Sequence, residues 1–292
     1  MPPEERALLA AIIASPDDDA PRLAYADWLD ENADALPEER RHPARVRAEL
    51  IRNQIASDSL VYGERGWEER YEALRAREWV LVTKDTHSAW ESELEGVTPA
   101  RGTLLLLARG LYGEAACTVK YFVERGAALL DAAPVTAVRL KQLAPSNAKS
   151  LATCAHFRRV RTLKMYAADT TLDAAASLFE RVPLGHLRGL ALDNGLANHG
   201  STTRADPLVE RVAGCAKLAN LRRLNLYAAG VGEEGGRALA ASPHLANLEV
   251  LDLRMNSGLG GAAKALRKTF GKRVWITQDD LTGLPVGCRD RD

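Results

Sequence analysis

The apolar positions of this chain follow two rhythms in succession. Toward the N-terminus they recur at helical spacing: Leu8, Leu9, Ile12 and Ile13 share one face, Leu23, Ala26 and Leu29 beside Trp28 a second, and Val46, Leu50, Ile51 and Ile55 a third. Ser15-Pro16-Asp17-Asp18-Asp19 interrupts the first helix and offers carboxylates to the N-terminus of the next. A Pro- and charge-rich connection from Pro37 to Pro43 precedes the third helix. A fourth amphipathic stretch, from about Gly66 to Val82, carries Trp67, Tyr71, Leu74 and Trp79. The pattern predicts a small all-helical domain over residues 1–100.

From about residue 110 a hexamer of the form Leu-x-x-Leu-x-Leu takes over. It begins at Leu187, Leu221 and Leu248, with conservative variants beginning at Val135 and Val160. The starts are separated by 25, 27, 34 and 27 residues. Helix-like segments lie between them: Leu172 to Val182, one opening at Asp206-Pro207, Gly232 to Ala241, and Gly261 to Phe270. Val274-Trp275-Ile276 reads as one last strand. A strand plus a helix per unit has an apolar edge that only the next unit can cover. The expected fold is therefore α/β: an N-terminal helical domain, then a short leucine-rich-repeat solenoid of five to six repeats over 101–285, with a flexible tail over 286–292. The long interval at Leu187 implies an inserted exposed loop, Asn194 to Arg204. Asn256 stands three residues after the last Leu of its hexamer, where a repeat turn needs its backbone satisfied; Ala168, Gly195 and Ala229 hold that place elsewhere.

Alternate side chains of a strand point to opposite faces. With the hexamer leucines inward, the expected solvent-facing, concave set is Arg139 and Lys141, Lys164 and Tyr166, Asp193, Arg223, Asn225 and Tyr227, Asp252 and Arg254, and Trp275. Tyr, Trp and Arg are the residue types that carry binding energy at protein interfaces.

Residues 4 to 55 include the runs DDDAPRLAYADWLDE and RAELIR. These resemble the bacterial repeat-companion domain, which stands before leucine-rich-repeat-like segments. LARGLYGEAACTVKYFVERGAALLDAAPVTAVRL is similar to the first strand–helix–strand of the repeat region in the same proteins. The link between the Trp28 helix and Arg47 is longer here than in that family. The resemblance implies the architecture and implies no enzymatic activity.

Composition narrows the chemistry. Lys plus Arg and Asp plus Glu are 39 each, so no global field draws the chain to nucleic acid or an anionic membrane. Apolar runs such as Leu104 to Ala108 fall far short of the roughly 20 residues that span a bilayer. The acidic start lacks a signal peptide's basic region, so the sequence reads as cytoplasmic. Cys117, Cys154, Cys215 and Cys288 form no ligand-spaced pair, and the Asp17–Asp19 run lacks the calcium-loop frame, so neither a metal nor a cofactor is expected. His156, His186 and His244 recur just before hexamers, which suggests a structural place in the turn. Gly232, Gly235 and Gly236 lack the Lys-Ser/Thr ending of a phosphate loop. Arg158, Arg159, Arg161, Arg222 and Arg223 could line a nucleic-acid path, but no interleaved aromatic module accompanies them. The expected function is thus non-enzymatic recognition of another protein, as an adaptor in a bacterial signalling or defence complex. The alternative is a regulatory subunit or substrate of an enzyme, with the acidic helical domain as its specific element.

Overall fold

A computed structural model describes residues 1–94, 96–97, 103–166, 170–193 and 205–286. Among these the chain forms eleven α-helices and an eight-stranded sheet, a mixed α/β architecture that opens with helices. It divides into two compact units.

The first unit holds α1 (Pro3–Ala14), α2 (Ala20–Asn32), α3 (Glu38–Ser59), α4 (Trp67–Leu81), α5 (Lys84–Ser92), β1 (Leu104–Ala108) and most of β2 (Leu111–Thr118). Its core joins the faces expected from the helical rhythm: Ile12, Tyr25, Ala26, Leu29, Leu36, Ala44, Ala48 and Ile51 pack together, with Leu111 added from β2. Arg109 and Gly110, both left-handed, make the two-residue turn between β1 and β2. A Cβ on Gly110 would lie 2.2 Å from Ile51 Cγ1, so only glycine lets this turn seat on α3, where its N–H donates to Gln54 Oε1 at 2.6 Å.

Three boundaries differ from the sequence expectation. The Pro37–Pro43 connection is largely the start of α3: Pro37 sits extended at the N-cap, and Pro43 lies inside the helix, its carbonyl accepting from Trp90 Nε1. Helix α5 had no hydrophobic rhythm to announce it; Thr83 and Thr86 cap it reciprocally, a variant of the Ser/Thr-x-x-Glu box. The tail does not fray at once, because Tyr62 exchanges backbone hydrogen bonds with Gly283 and Leu284, the N–H of Val286 donates to Leu60, and Val286 is buried. The first unit thus takes in 127–136 and 282–286 as well as β1 and most of β2, instead of ending at 100.

The second unit alternates strand and helix: β3 (Ala137–Lys141), α7 (Pro145–Ala152), β4 (Thr162–Tyr166), α8 (Leu172–Arg181), β5 (Gly189–Asp193), α9 (Asp206–Ala213), β6 (Arg223–Asn225), α10 (Glu233–Ala241), β7 (Val250–Asp252), α11 (Ala262–Phe270) and β8 (Val274–Trp275). Helix α6 (Val119–Ala132) runs between β2 and β3. Strands β3 to β8 pair in parallel with their sequence neighbours. The register lines up one apolar row, Val138, Leu163, Leu190, Leu224, Leu251 and Val274, every member buried. Leu140, Met165, Leu192, Leu226 and Leu253 are buried two residues further on, and Val135, Val160, Leu187, Leu221 and Leu248 three residues before it. All three apolar positions of the hexamer therefore face the interior in every copy.

Side chains stitch each unit to the one before it. Asn220 donates to Gly185 O, Asn247 to Ala219 O, Lys217 to Glu180 O and Arg273 to Ala246 O. These bonds satisfy turn carbonyls that no ladder reaches. Asp206 opens α9, with Pro207 second, and its Oδ1 accepts from Gly232 N at 2.6 Å at the start of α10. That contact needs a glycine, since a Cβ on Gly232 would meet the carboxylate at 2.5 Å. The Asn194–Arg204 insertion lies outside the described residues.

Candidate functional site

The strand phase places the expected site residues on one face of β3 to β8. Arg139, Lys164, Ala191, Asn225, Asp252 and Trp275 form a single cross-strand row. Arg139, Lys141, Lys164, Arg223 and Asn225 are half-buried, and Tyr227 is 37% exposed. Tyr166 and Asp193 pair with one another through the backbone, while their side chains lie outside the described atoms.

Three members are not solvent-facing. Asp252, Arg254 and Trp275 are buried, and they bury one another. The Arg254 guanidinium lies 5.4 Å from the Tyr227 ring centroid and 5.7 Å from that of Trp275. Its Nε and Nη2 donate to the two carboxylate oxygens of Asp252 at 2.9 and 2.5 Å, and Nη1 donates to Gln278 Oε1 at 3.2 Å. An arginine held in this bidentate, ring-flanked geometry is a brace for the sheet end, because its donors are spent inside the fold. Alternation alone counted these side chains as exposed; long residues on neighbouring strands cover one another whenever charge and aromaticity match across the row. What remains open at this end is the Tyr227 edge and Met255, which is 67% exposed and left-handed at φ 59°.

No family model, curated protein or solved structure matches the chain.

Two further features of this surface escaped the alternation rule. Met255 falls beyond β7, where the strand period no longer applies. Arg161, Arg188 and Arg222 occupy the second position of three successive hexamers, just before β4, β5 and β6 begin, and the recurrence of Val/Leu-Arg there was the available signal.

Other chemistry-bearing groups are committed to structure. Cys154 Sγ lies 3.0 Å from His156 Nε2, but the same nitrogen lies 2.7 Å from Phe122 O. A carbonyl only accepts, so Nε2 carries the proton and cannot take one from the thiol. Burial also pushes the Cys154 thiol up, against the hydrogen bonds from the Phe157 and His156 N–H groups. His156 therefore has the structural place its repeat position suggested. Burial holds His186 below its ordinary range, and its Nε2 has no hydrogen-bond partner among the described residues.

In the first unit, Arg22 and Arg109 grip the acidic turn through its carbonyls. Arg22 Nη1 donates to Pro16 O and Asp18 O, and Arg109 donates to Pro16 O, Asp17 O and Asp19 Oδ1. The N–H of Ala20 donates to Asp18 Oδ1, while Asp19, at the N-cap of α2, makes no side-chain cap bond. Glu5, fully buried, accepts from Tyr25 and from both Nη atoms of Arg40, while Glu93 takes Arg47 at 2.6 Å. Among the described residues no cluster of three metal-ligating side chains occurs.

Proposed function

We propose that this chain is a non-enzymatic recognition module, built as degenerate leucine-rich repeats behind a repeat-companion-like helical domain, that binds another protein through the outward face of β3 to β8. The observation that carries this reading is the separation of the two strand faces. One is a continuous apolar core row; the other carries the half-buried Arg139, Lys164, Arg223 and Asn225 on β3, β4 and β6, with the Tyr227 edge exposed, up to the buried Asp252–Arg254–Trp275 brace at its end. Residues of these types on rigid parallel strands suit recognition, since their backbones lose little freedom on binding.

One observation favours the helical domain instead: Trp79 on α4 is 86% exposed, with Val80 beside it. The two readings separate by substitution. For a partner captured with the full chain, Tyr227→Ala is expected to weaken the complex by about 1–2 kcal/mol by calorimetry, with Trp79→Ala near neutral. The opposite order assigns binding to α4.

A further inference from the structure

We propose that β1 joins two copies of this chain, pairing antiparallel with its own equivalent about a twofold axis at Leu106. This goes beyond the recognition reading and does not depend on it. β1 is the end strand of the sheet, and among the described residues no backbone hydrogen bond formed outside helices and ladders involves 104–108. The strand at the other end is protected. β8 is two residues long, and the N–H groups of Ile276 and Thr277 that follow it are taken by the Asp280 carboxylate. An open end strand is a template for another strand, and proteins blunt it with charge, Pro or a cover. β1 reads LLLLA, with neither charge nor Pro, and Leu104 is 51% and Leu106 38% exposed.

The hairpin turn fixes which groups face outward. Around a two-residue turn the flanking residues, here Ala108 and Leu111, bond to one another, and bonding groups then alternate sides along the strand. Those of Leu104, Leu106 and Ala108 turn to β2, and those of Leu105 and Leu107 to the open edge. A second copy set antiparallel, with Leu106 facing its own equivalent, brings Leu105 of each opposite Leu107 of the other. Each such pair exchanges both of its N–H···O bonds. In the same register Leu104 faces Ala108, so every opposed pair is apolar and the exposed leucines of both copies meet on one side. This match of the strand to itself is what commits the edge to a second copy. The adjoining charge does not oppose it: the Arg109 side chain is 11% exposed, and its guanidinium donates to Pro16 O, Asp17 O and Asp19 Oδ1. Two short strands bury less than the roughly 1,200 Å² of a stable complex, so the dimer is reversible, with a Kd on the order of tens of micromolar.

Sedimentation velocity of the full chain, from about 1 µM to about 1 mM, tests this by spanning that Kd. The unaltered chain is expected to pass from monomer to dimer, and Tyr227→Ala to leave that transition in place. Leu106→Lys and Leu106→Glu each set a like charge against itself at the axis. Each alone should weaken dimerisation at least about tenfold, and an equimolar mixture of the two should restore it. Should the Leu106 variants melt early, Leu104→Lys with Ala108→Glu in one chain is expected to dimerise, and Leu104→Lys with Ala108→Lys to stay monomeric. A chain monomeric over the whole range leaves the edge to a strand of another protein and overturns the proposal. A dimer indifferent to both Leu106 changes, or a mixture that fails to associate although each variant keeps its circular dichroism spectrum, overturns it as well.

Discussion

Asp280 shows how much one residue can gather near the end of the repeated region. Its carboxylate accepts from the N–H groups of Ile276 and Thr277, from Thr277 Oγ1, and from both Nη atoms of Arg267 at 2.9 and 3.0 Å. Burial acts against its charge, but the Arg267 and backbone hydrogen bonds outweigh it and hold the carboxyl well below the usual range. A depressed folded pKa contributes stability that is fully present above the unfolded value, about 3.9, and is lost as pH falls through the folded one. Asp280→Asn is therefore expected to cost about 1.5–3 kcal/mol at neutral pH in urea unfolding. The gap between the two proteins should stay constant down to about pH 5 and narrow below about pH 4. A gap unchanged in strong acid would show that the carboxylate's charge is not what counts. Nothing in the sequence around Asp280 announced this role, because its partners come from a helix and a turn that only the fold brings together. The same holds for Asp252, Arg254 and Trp275: strand phase placed them on the right face, yet their mutual burial depends on contacts across three strands.

Within the repeated elements, the turn after each strand is the informative part. Gln142, Ala228 and Met255 each stand two residues after the last apolar position of a hexamer, and each is left-handed, with φ of 56°, 50° and 59°. A recurring backbone state at equivalent positions, in three unrelated residue types, shows that the turn is imposed by the repeat and not by local preference. Asn256 works at this turn for two units at once. Its Nδ2 donates to Leu253 O and Arg254 O in its own turn and to Leu226 O in the preceding one, and its Oδ1 accepts from Val231 N. The preceding unit has Ala229 at the corresponding place and can supply none of these bonds itself. At this pair of turns one asparagine serves the neighbour that has none. Asn256→Ala takes a bond from the Val231 N–H and from three carbonyls, of which Leu226 O and Arg254 O keep the Ala229 and Ala228 N–H groups, and is expected to cost about 3 kcal/mol. Hydrogen exchange should quicken at Val231 as well as near residue 256; protection lost only in the Asn256 turn would refute the shared role. The hexamer rhythm made the strands and their phase legible in advance, since burial of three apolar positions per unit is a strong periodic signal. Asn256's reach into the neighbouring turn was not, because it depends on the stacking distance between units.

At the scale of the molecule, the compact units do not follow the change of rhythm. Sequence pattern puts a boundary at residue 100, but β1, most of β2 and residues 127–136 and 282–286 belong to the helical unit. The physical reason lies in what the helices lack. Leu111 fills their core cluster, Gly110 closes on Ile51 and Gln54, and Arg109 satisfies carbonyls in the turn between α1 and α2 that no helix bond reaches. A chain cut after residue 100 gives up all of these. Burial of Leu111 alone is worth about 1.5–3 kcal/mol, a large share of the roughly 5–15 kcal/mol that holds a domain together. A fragment of residues 1–100 is therefore expected to melt several degrees below a fragment of residues 1–118 and less cooperatively, followed by circular dichroism at 222 nm, where helix dominates. Within the longer fragment, Arg109→Ala should give up part of that gain by freeing the acidic turn, and Gly110→Val should give up most of it by lifting the turn off α3. Equal midpoints for the two fragments would mean that the helices fold without the β1–β2 turn, and that the change of hydrophobic rhythm near residue 100 marks the true edge of the unit.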